Sequence, residues 1–132
     1  KEAFPAQMIE VNGEIRTLEQ VKNALMHLDG VMIGRAAIDN PWLFSKVDSV
    51  VFGEPDSVAS RVDVIDRMLP YMEMRLAEGD ALKYFIKHLM PVFAGVRGAR
   101  LWRRELGEIA SCQSATVEDI QKVALMFRVD GP

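Results

Sequence analysis

Hydrophobic positions at the start of the chain form two short apolar runs with a helical repeat between them. The runs MIEVN (8–12) and GVMIG (30–34) are typical of short buried strands. Between them, apolar residues recur at the spacing of one helix face: Leu18, Val21, Leu25 and Leu28. Thr17 and Gln20 are spaced for a capping box at the start of that helix. The pattern predicts a βαβ unit with parallel strands and a crossover helix.

The βαβ unit is too small to stand alone. Two parallel strands do not make a stable sheet, because parallel sheets need cover on both faces. We therefore interpret residues 1–53 as one end of a larger α/β structure whose other strands lie outside this chain. The chain divides near FGEPDS (52–57), and the pattern after it is helical throughout.

Residues 54–132 are predicted to form a small bundle of four helices. Ser57 or Asp56 can cap the first helix and Gly79 can end it. Its apolar seam recurs every three or four residues: Val58, Val62, Ile65, Leu69, Met72 and Leu76. Asp80 is the predicted cap of the second helix, whose inward face carries Leu82, Phe85, Ile86, Leu89 and Phe93.

The end of the second helix and the last two helices follow from glycines and a further apolar repeat. Gly95 and Gly98 interrupt the chain before ARLWRRELGEIA (99–110). A last helix is predicted over 117–127, with Val117, Ile120, Ala124 and Phe127 facing inward. The predicted fold class is an α-rich α/β protein, with a βαβ end followed by an all-α bundle.

Composition fits a globular protein of a reducing compartment. The 132 residues are 49% hydrophobic and 27% charged, and the single cysteine, Cys112, has no partner for an internal disulfide. No apolar stretch approaches the ~18 residues of a membrane span. His27 and His88 lack metal-ligand spacing, and Cys112 has no histidine near it in sequence, so it is interpreted as structural. A cytoplasmic location is the default expectation.

Positive charge is concentrated in one segment, although the net charge is −3. Between Ala81 and Arg104 there are six basic residues and no acidic one: Lys83, Lys87, Arg97, Arg100, Arg103 and Arg104. On a helical wheel of residues 97–109, the four arginines lie opposite an apolar arc formed by Trp102, Leu106 and Ile109. Such a face suits a nucleic-acid phosphate backbone, the alternative being a solvated helix surface without a partner.

Two turns at strand ends are candidates for a phosphate site. Asn12 and Gly13 end the first predicted strand, and Gly34 and Arg35 end the second. Parallel strands bring both turns to one edge of a sheet, and in barrels of alternating strands and helices this edge commonly binds phosphate. Glycine allows close approach of a ligand, and arginine can bond phosphate oxygens in pairs. The alternative is a pair of ordinary turns in which Arg35 makes a surface ion pair.

Two longer stretches carry a resemblance to a known family. The sequence VNGEIRTLEQVKNALMHLDGVMIGRAAIDNPWLF and the later HLMPVFAGVRGARLWRREL resemble the C-terminal portion of bacterial tRNA-dihydrouridine synthases, most of all the DusA subfamily. The resemblance covers nearly the whole chain. It implies a flavin-binding (β/α)8 barrel followed by a helical tRNA-binding domain. It also implies reduction of the C5–C6 bond of particular uridines in tRNA, with FMN as cofactor and NADPH as reductant.

The resemblance also assigns roles to particular residues. Asn12, Gly13, Glu14, Gly34 and Arg35 fall on the family's FMN-phosphate positions. The helix with Arg100 and Arg103 resembles a tRNA-binding element, and the family's catalytic cysteine belongs to a barrel loop upstream of Lys1. The chain alone is therefore expected to be inactive.

Glu14 departs from the family, which usually has a second glycine there. If the backbone requires a positive φ at this position, a residue other than glycine costs roughly 1–2 kcal/mol. A carboxylate aimed at a phosphate would also oppose binding. Either Glu14 points away and gives only its N–H, or the phosphate site is weakened.

Two other functions fit parts of the pattern. A different FMN-dependent barrel oxidoreductase, such as a relative of dihydroorotate dehydrogenase, would share the phosphate turns but lack a basic helical bundle. A stand-alone helical nucleic-acid-binding module would have no use for the turns. The basic helix argues against the first alternative, and the two turns argue against the second.

Overall fold

The computed structural model describes residues 1–128, which form two compact units, 1–57 and 58 onward. In the first unit, strand β1 (Glu10–Asn12), helix α1 (Leu18–Leu25) and strand β2 (Gly30–Met32) form the βαβ unit expected from the sequence. The two strands pair in parallel, with Glu10 opposite Gly30 and Asn12 opposite Met32. The predicted parallel pairing is therefore confirmed, although the strands are shorter than the apolar runs.

The capping box of α1 is also confirmed. The Thr17 side chain accepts a hydrogen bond from the Gln20 N–H at 3.2 Å, and the Gln20 side-chain oxygen accepts from the Thr17 N–H at 3.1 Å. Two amide groups that the first turn would otherwise leave without partners are thereby satisfied.

Three short turns of helix follow β2 in the first unit. They are α2 (Arg35–Asp39), a 3-10 helix (Pro41–Lys46) and a π-helical turn (Asp48–Phe52). Within 1–57, all of which the structure describes, Val21 and Ala36 are the only buried hydrophobic side chains. Several large apolar side chains of this unit are instead exposed: Phe4, Met8, Met26, Met32, Ile38, Phe44, Val50 and Phe52. The βαβ unit thus has little core of its own.

The second unit is a bundle of four helices, as the sequence predicts. They are α3 (Arg61–Ala77), α4 (Lys83–Leu89), α5 (Ala99–Ser111) and α6 (Val117–Leu125), with a 3-10 turn (Met90–Phe93) after α4. Helix α6 packs on α3 and α5, and α4 packs on α5. Their apolar faces enclose one core, whose most deeply buried side chains are Ile65, Met72, Ile86, Leu89, Trp102, Leu106 and Ile120.

The predicted cap of α3 is wrong. Ser60, rather than Ser57 or Asp56, is the N-cap: its Oγ accepts from the Asp63 N–H at 3.1 Å, and the Asp63 carboxylate accepts from the Ser60 N–H at 3.0 Å. A capping box needs a side-chain acceptor three residues after the cap, and the residue at that distance from Asp56 is Ala59, which has none. The Asp56 carboxylate instead accepts from Lys46 Nζ at 2.8 Å, which lowers the pKa of this carboxyl group.

The predicted cap of α4 is wrong as well. Helix α4 has Leu82 at its N-cap, and the Asp80 carboxylate accepts a hydrogen bond from Arg75 Nε at 2.8 Å. The acid is therefore drawn back to the last turn of α3 by a charged partner. Gly79 does end α3 as expected, since it follows the C-cap Glu78 and has a φ of 103°.

An aromatic cluster orients α5 in the bundle. Trp102 is fully buried, and its indole N–H donates to the Leu89 carbonyl at 3.0 Å. The Trp102 ring lies 4.5 Å from the ring of Phe93 and 5.9 Å from that of Phe127, measured between centroids. Gly98, just before α5, has a φ of 85°, and a Cβ there would come within 2.6 Å of the Phe127 ring. This position therefore requires glycine, and the buried tryptophan leaves the opposite side of α5 facing solvent.

Candidate functional site

The five residues singled out at the strand ends lie around one cavity. Asn12, Gly13, Glu14, Gly34 and Arg35 all line a cavity of about 290 Å³ in the first unit. The strand register explains this, since Asn12 is opposite Met32 and both strands therefore end at the same edge. The volume is at the small end of the range for ligand sites, about 300–1,000 Å³. A group of modest size, such as one end of a larger ligand, fits that description.

Neither glycine of the two turns is needed for packing inside the chain. A Cβ added at Gly13 would meet no atom within 4 Å, and one added at Gly34 would make only ordinary contacts with the Met32 side chain. Neither residue has a positive φ. Nothing among the described residues therefore requires a glycine at Gly13, whereas close approach of a ligand to the backbone would require one.

Glu14 has a positive φ, the condition under which a residue other than glycine was expected to be strained at this position. Its φ is 45°, and among residues 1–128 it is the only residue other than glycine in this region. Its carboxylate lies 3.4 Å from Arg35 Nη2 across the turns. The carboxylate thus points toward the arginine proposed for phosphate, rather than away from it. Both side chains are well exposed, so the pair contributes little to stability.

Arg16 is a residue of this cavity that the sequence analysis missed. It lines the same cavity, its side chain is exposed, and its N–H donates to the Gln20 side chain at 2.8 Å as part of the start of α1. Its guanidinium makes no ion pair with any residue in the part of the chain that the structure describes. The sequence could have indicated Arg16, because this residue lies three positions after Gly13 and in the same turn as Glu14.

The basic residues near α5 are all exposed but differ in their surroundings. Arg100 and Arg103 lie on α5 with exposed side chains, whereas Trp102 and Leu106 of the same helix are buried. Arg97 lies in the turn before α5, because the helix begins only at Ala99, so its placement on the helical wheel is wrong. None of these three arginines has an ion-pair partner among residues 1–128.

Arg104 differs from the other arginines because two acids of its own helix neutralise it. Its Nη2 lies 2.6 Å from Glu105 and its Nε lies 3.8 Å from Glu108. The hydrogen bond that Arg104 donates to the Glu105 carboxylate raises the pKa of the arginine. The absence of acidic residues between 81 and 104 therefore does not extend to the neighbours of Arg104 in space, and only part of the predicted basic face is free of acids.

Lys83 and Lys87 are exposed on α4, which packs on α5. Lys83 Nζ lies 5.6 Å from the ring centroid of Tyr84, within the range of a cation–π contact. The structure therefore adds an exposed aromatic side chain to the basic segment, which the charge pattern alone did not reveal.

Three candidates from the sequence remain: Cys112, His27 and His88. Cys112 is exposed at the end of α5, and a hydrogen bond with the Ser114 hydroxyl lowers the pKa of its thiol. His27 lies just after α1, and His88 lies on α4. Residues 1–128 contain no group of three or more His, Cys, Asp or Glu placed to hold a metal ion. Over the same residues, no helix combines the length and hydrophobicity needed to cross a membrane.

Comparison with known proteins gives this geometry a context. A model of the dihydrouridine synthase (Dus) family matches residues 1–127. The chain belongs to the dihydrouridine synthase family. It is 44% identical over 121 residues to the tRNA-dihydrouridine(20/20a) synthase of Synechocystis sp., 42% identical over 122 residues to that of Vibrio cholerae and 40% identical over 121 residues to that of Escherichia coli. Each alignment covers 92% of this chain.

The alignments cover a smaller share of the relatives. The chain spans 36% of the Synechocystis protein, 37% of the Vibrio cholerae protein and 35% of the Escherichia coli protein. It therefore corresponds to about a third of the length of these family members. Roles that need the whole protein are inferred below.

Proposed function

We propose that this chain is part of a tRNA-dihydrouridine synthase that acts on uridines 20 and 20a of tRNA and uses FMN and NADPH. Within it, residues 1–53 would form the C-terminal end of a (β/α)8 barrel and hold the FMN phosphate. Residues 54–132 would bind tRNA. The observation that carries the proposal is that both βα turns of a dihydrouridine synthase family member line one cavity.

The barrel assignment is supported by the surface of the first unit. Two parallel strands with a crossover helix are the repeating unit of such a barrel. The exposed apolar side chains of 1–57, among them Met8, Met32 and Ile38, are the kind of surface that neighbouring strands and helices would cover. Burial of this surface by further barrel elements would also stabilise a sheet that is too small alone.

The cavity fits the phosphate end of FMN in two respects and opposes it in a third. Gly13 leaves its backbone open to a ligand, and Arg16 and Arg35 supply two guanidinium groups. The Glu14 carboxylate, 3.4 Å from Arg35, opposes an anion. With two cations and one anion the residues still favour a phosphate, and they would hold it by charge-assisted hydrogen bonds. FMN bound there would supply the hydride chemistry, while these residues bind and orient it.

The bundle is assigned to tRNA because the cations of its basic segment, 81–104, are exposed and, apart from Arg104, have no acidic partner among residues 1–128. Arg97, Arg100 and Arg103 have no acidic partner among residues 1–128, and Lys83 and Lys87 lie on the neighbouring helix. Phosphate groups are the natural counter-charge for such a surface. A different FMN-dependent barrel oxidoreductase would have no use for it, and the names of the relatives also favour the tRNA enzyme.

A chimera tests the proposal. This chain would replace the matching segment of the Escherichia coli relative, and the protein would be expressed in a strain that lacks its own enzyme for positions 20 and 20a. We expect the purified chimera to carry FMN and to restore dihydrouridine at those positions in tRNA. The same chimera with Arg35→Ala serves as the matched control for the flavin site. A folded chimera without flavin and without dihydrouridine formation would contradict the proposal.

A further inference from the structure

The outer face of α4 joins an exposed aromatic ring to exposed cations. Lys83, Tyr84, Lys87 and His88 are all exposed and lie on one side of the helix, while Ile86 and Leu89 on the other side are buried. We call these four exposed residues the α4 outer face. Tyr84 keeps 54% of its surface exposed, so its ring is open to a binding partner.

The Lys83 ammonium group lies over the Tyr84 ring. Lys83 Nζ lies 5.6 Å from the centroid of the Tyr84 ring, so a cation sits over one face of the ring. A planar group stacking on the open part of the ring would therefore lie beside an ammonium group. Lys87, one turn further along α4, adds a second cation to the same surface.

We propose that Tyr84 is a stacking platform for an unpaired nucleotide of tRNA, with Lys83 and Lys87 contacting the phosphates that flank it. This inference rests on the proposed tRNA binding by the bundle and adds a contact to a base. Proteins that recognise RNA stack unpaired bases on exposed aromatic rings and hold the backbone with nearby cations. A basic surface without an aromatic ring would contact phosphates but would not stack on a base.

The basic segment that carries Tyr84 favours a nucleic acid, whose phosphates are negatively charged, over an uncharged apolar partner. No acidic residue occurs between Ala81 and Arg104, a segment that also includes Arg100 and Arg103 on α5, the helix on which α4 packs. Tyr71 provides a comparison. It lies on α3 with 52% of its surface exposed, but its segment, 54–80, holds seven acidic and three basic residues. Two tyrosines of similar exposure thus lie on sequence segments of opposite charge balance, and the Tyr71 ring meets that of Phe85 on α4 edge-on, 6.2 Å between centroids.

The test compares two RNA probes and measures binding of the whole 132-residue chain at several salt concentrations. One probe is a tRNA transcript, which has unpaired loop nucleotides, and the other is a blunt RNA duplex with the same number of phosphates. Tyr84→Ala should weaken tRNA binding at least about fivefold, since stacking is worth ~1–3 kcal/mol per base. It should leave the salt slope and the affinity for the duplex unchanged, because no phosphate contact is lost.

Three further variants complete the test. Tyr84→Phe should bind tRNA as the parent chain does, because it keeps the planar ring. Tyr84→Leu, which keeps an apolar side chain of similar bulk, should bind as weakly as Tyr84→Ala and guards against misfolding of the alanine variant. Tyr71→Ala, the matched control, should leave binding unchanged. Salt-dependent tRNA binding that is indifferent to Tyr84→Ala and Tyr84→Leu would overturn the stacking proposal alone. Absence of any salt-dependent tRNA binding would overturn it together with the proposed role of the bundle.

Discussion

The carboxylate of Glu14 lies 3.4 Å from the guanidinium of Arg35, across two turns that are 21 residues apart in sequence. The Glu14 carboxylate therefore lies where the phosphate that we propose as ligand would also place negative charge. The backbone of Glu14 is held at a φ of 45°, which favours glycine. Glu14 therefore acts on the cavity in two ways, through charge and through backbone conformation, and the two can be separated by mutation.

Glu14→Gly and Glu14→Gln are expected to tighten FMN binding in the chimera. Removing a negative charge a few ångströms from the phosphate is worth about 1 kcal/mol at an exposed site, or roughly a fivefold lower Kd. Only Glu14→Gly should also stabilise the protein, since only glycine relieves the positive φ; the strain of roughly 1–2 kcal/mol, less the roughly 0.5–1 kcal/mol of extra backbone entropy that glycine loses, leaves up to about 1 kcal/mol. Equilibrium dialysis and thermal unfolding measure the two effects. An unchanged Kd in Glu14→Gln would show that the carboxylate does not oppose the ligand.

Arg35→Ala and Arg16→Ala are both expected to weaken FMN binding in the chimera. Each removes a charge-assisted contact worth roughly 1.5–3 kcal/mol. The effect of Arg35→Ala should fall near the lower end, because Glu14 already partly neutralises this arginine in the free protein. Arg67→Ala is the matched control, since Arg67 is an exposed arginine on α3. Flavin affinity that responds to neither cavity arginine, or equally to Arg67→Ala, would remove the phosphate from this cavity.

Trp102 is expected to dominate the stability of the helical bundle. Trp102→Ala should cost ~3–5 kcal/mol through the cavity that it leaves, and Trp102→Phe less, about 1–2 kcal/mol, because a ring remains but the bond to the Leu89 carbonyl is lost. Leu125→Ala, on the exposed side of α6, should change stability by less than about 0.5 kcal/mol. Urea unfolding followed by circular dichroism measures all three. Equal losses for the two Trp102 variants would assign the stability to the hydrogen bond rather than to packing.

Local patterns predicted the helices and strands better than they predicted the caps. The α1 capping box could be predicted because Thr17 and Gln20 satisfy each other three residues apart. At α3, several cap residues stand close together, and Ser60 caps the helix because it has a reciprocal partner in Asp63. At α4, the competing partner of Asp80 was Arg75 on the preceding helix, a contact that depends on how the chain turns at Gly79.

The candidate site shows the same division between local and distant interactions. The sequence predicted two turns at one sheet edge, because parallel strands must end together. A surface ion pair of Arg35 was the stated alternative and is observed, but the sequence did not identify Glu14 as the partner, since this depends on side chains from two different turns. The neutralisation of Arg104 was within reach of the sequence, because Glu105 and Glu108 follow it at one and four residues. This neutralisation was missed because acidic residues were counted only up to residue 104.

The thiol of Cys112 is expected to react at lower pH than an ordinary cysteine. The Ser114 hydroxyl, 3.3 Å from Sγ, stabilises the thiolate and lowers the pKa of the thiol. A lower pKa means a larger thiolate fraction at any pH below it, so the alkylation rate should reach half its maximum at a lower pH than for free cysteine. Ser114→Ala should move this midpoint upward. Iodoacetamide labelling followed by mass spectrometry measures it, and a midpoint unaffected by Ser114→Ala would contradict the assigned cause.

The arginines of α5 are expected to differ in how much each contributes to tRNA binding. For a surface that binds phosphates, log affinity falls linearly with log salt concentration, with a slope of roughly −0.9 per duplex phosphate neutralised. Replacing both Arg100 and Arg103 by alanine should therefore flatten the slope by about two units. Melting should change little, since both side chains are exposed.

Arg104→Ala is the matched control on the same helix. Because Glu105 and Glu108 already engage this guanidinium, its release to a phosphate would leave two acids unpaired, so its loss should change the slope by well under one unit. Filter binding at several salt concentrations compares the parent chain with both variants. A slope that responds equally to all three arginines would mean that the Arg104 ion pairs open on binding. A slope indifferent to Arg100 and Arg103 would exclude this face of α5 from contact with tRNA.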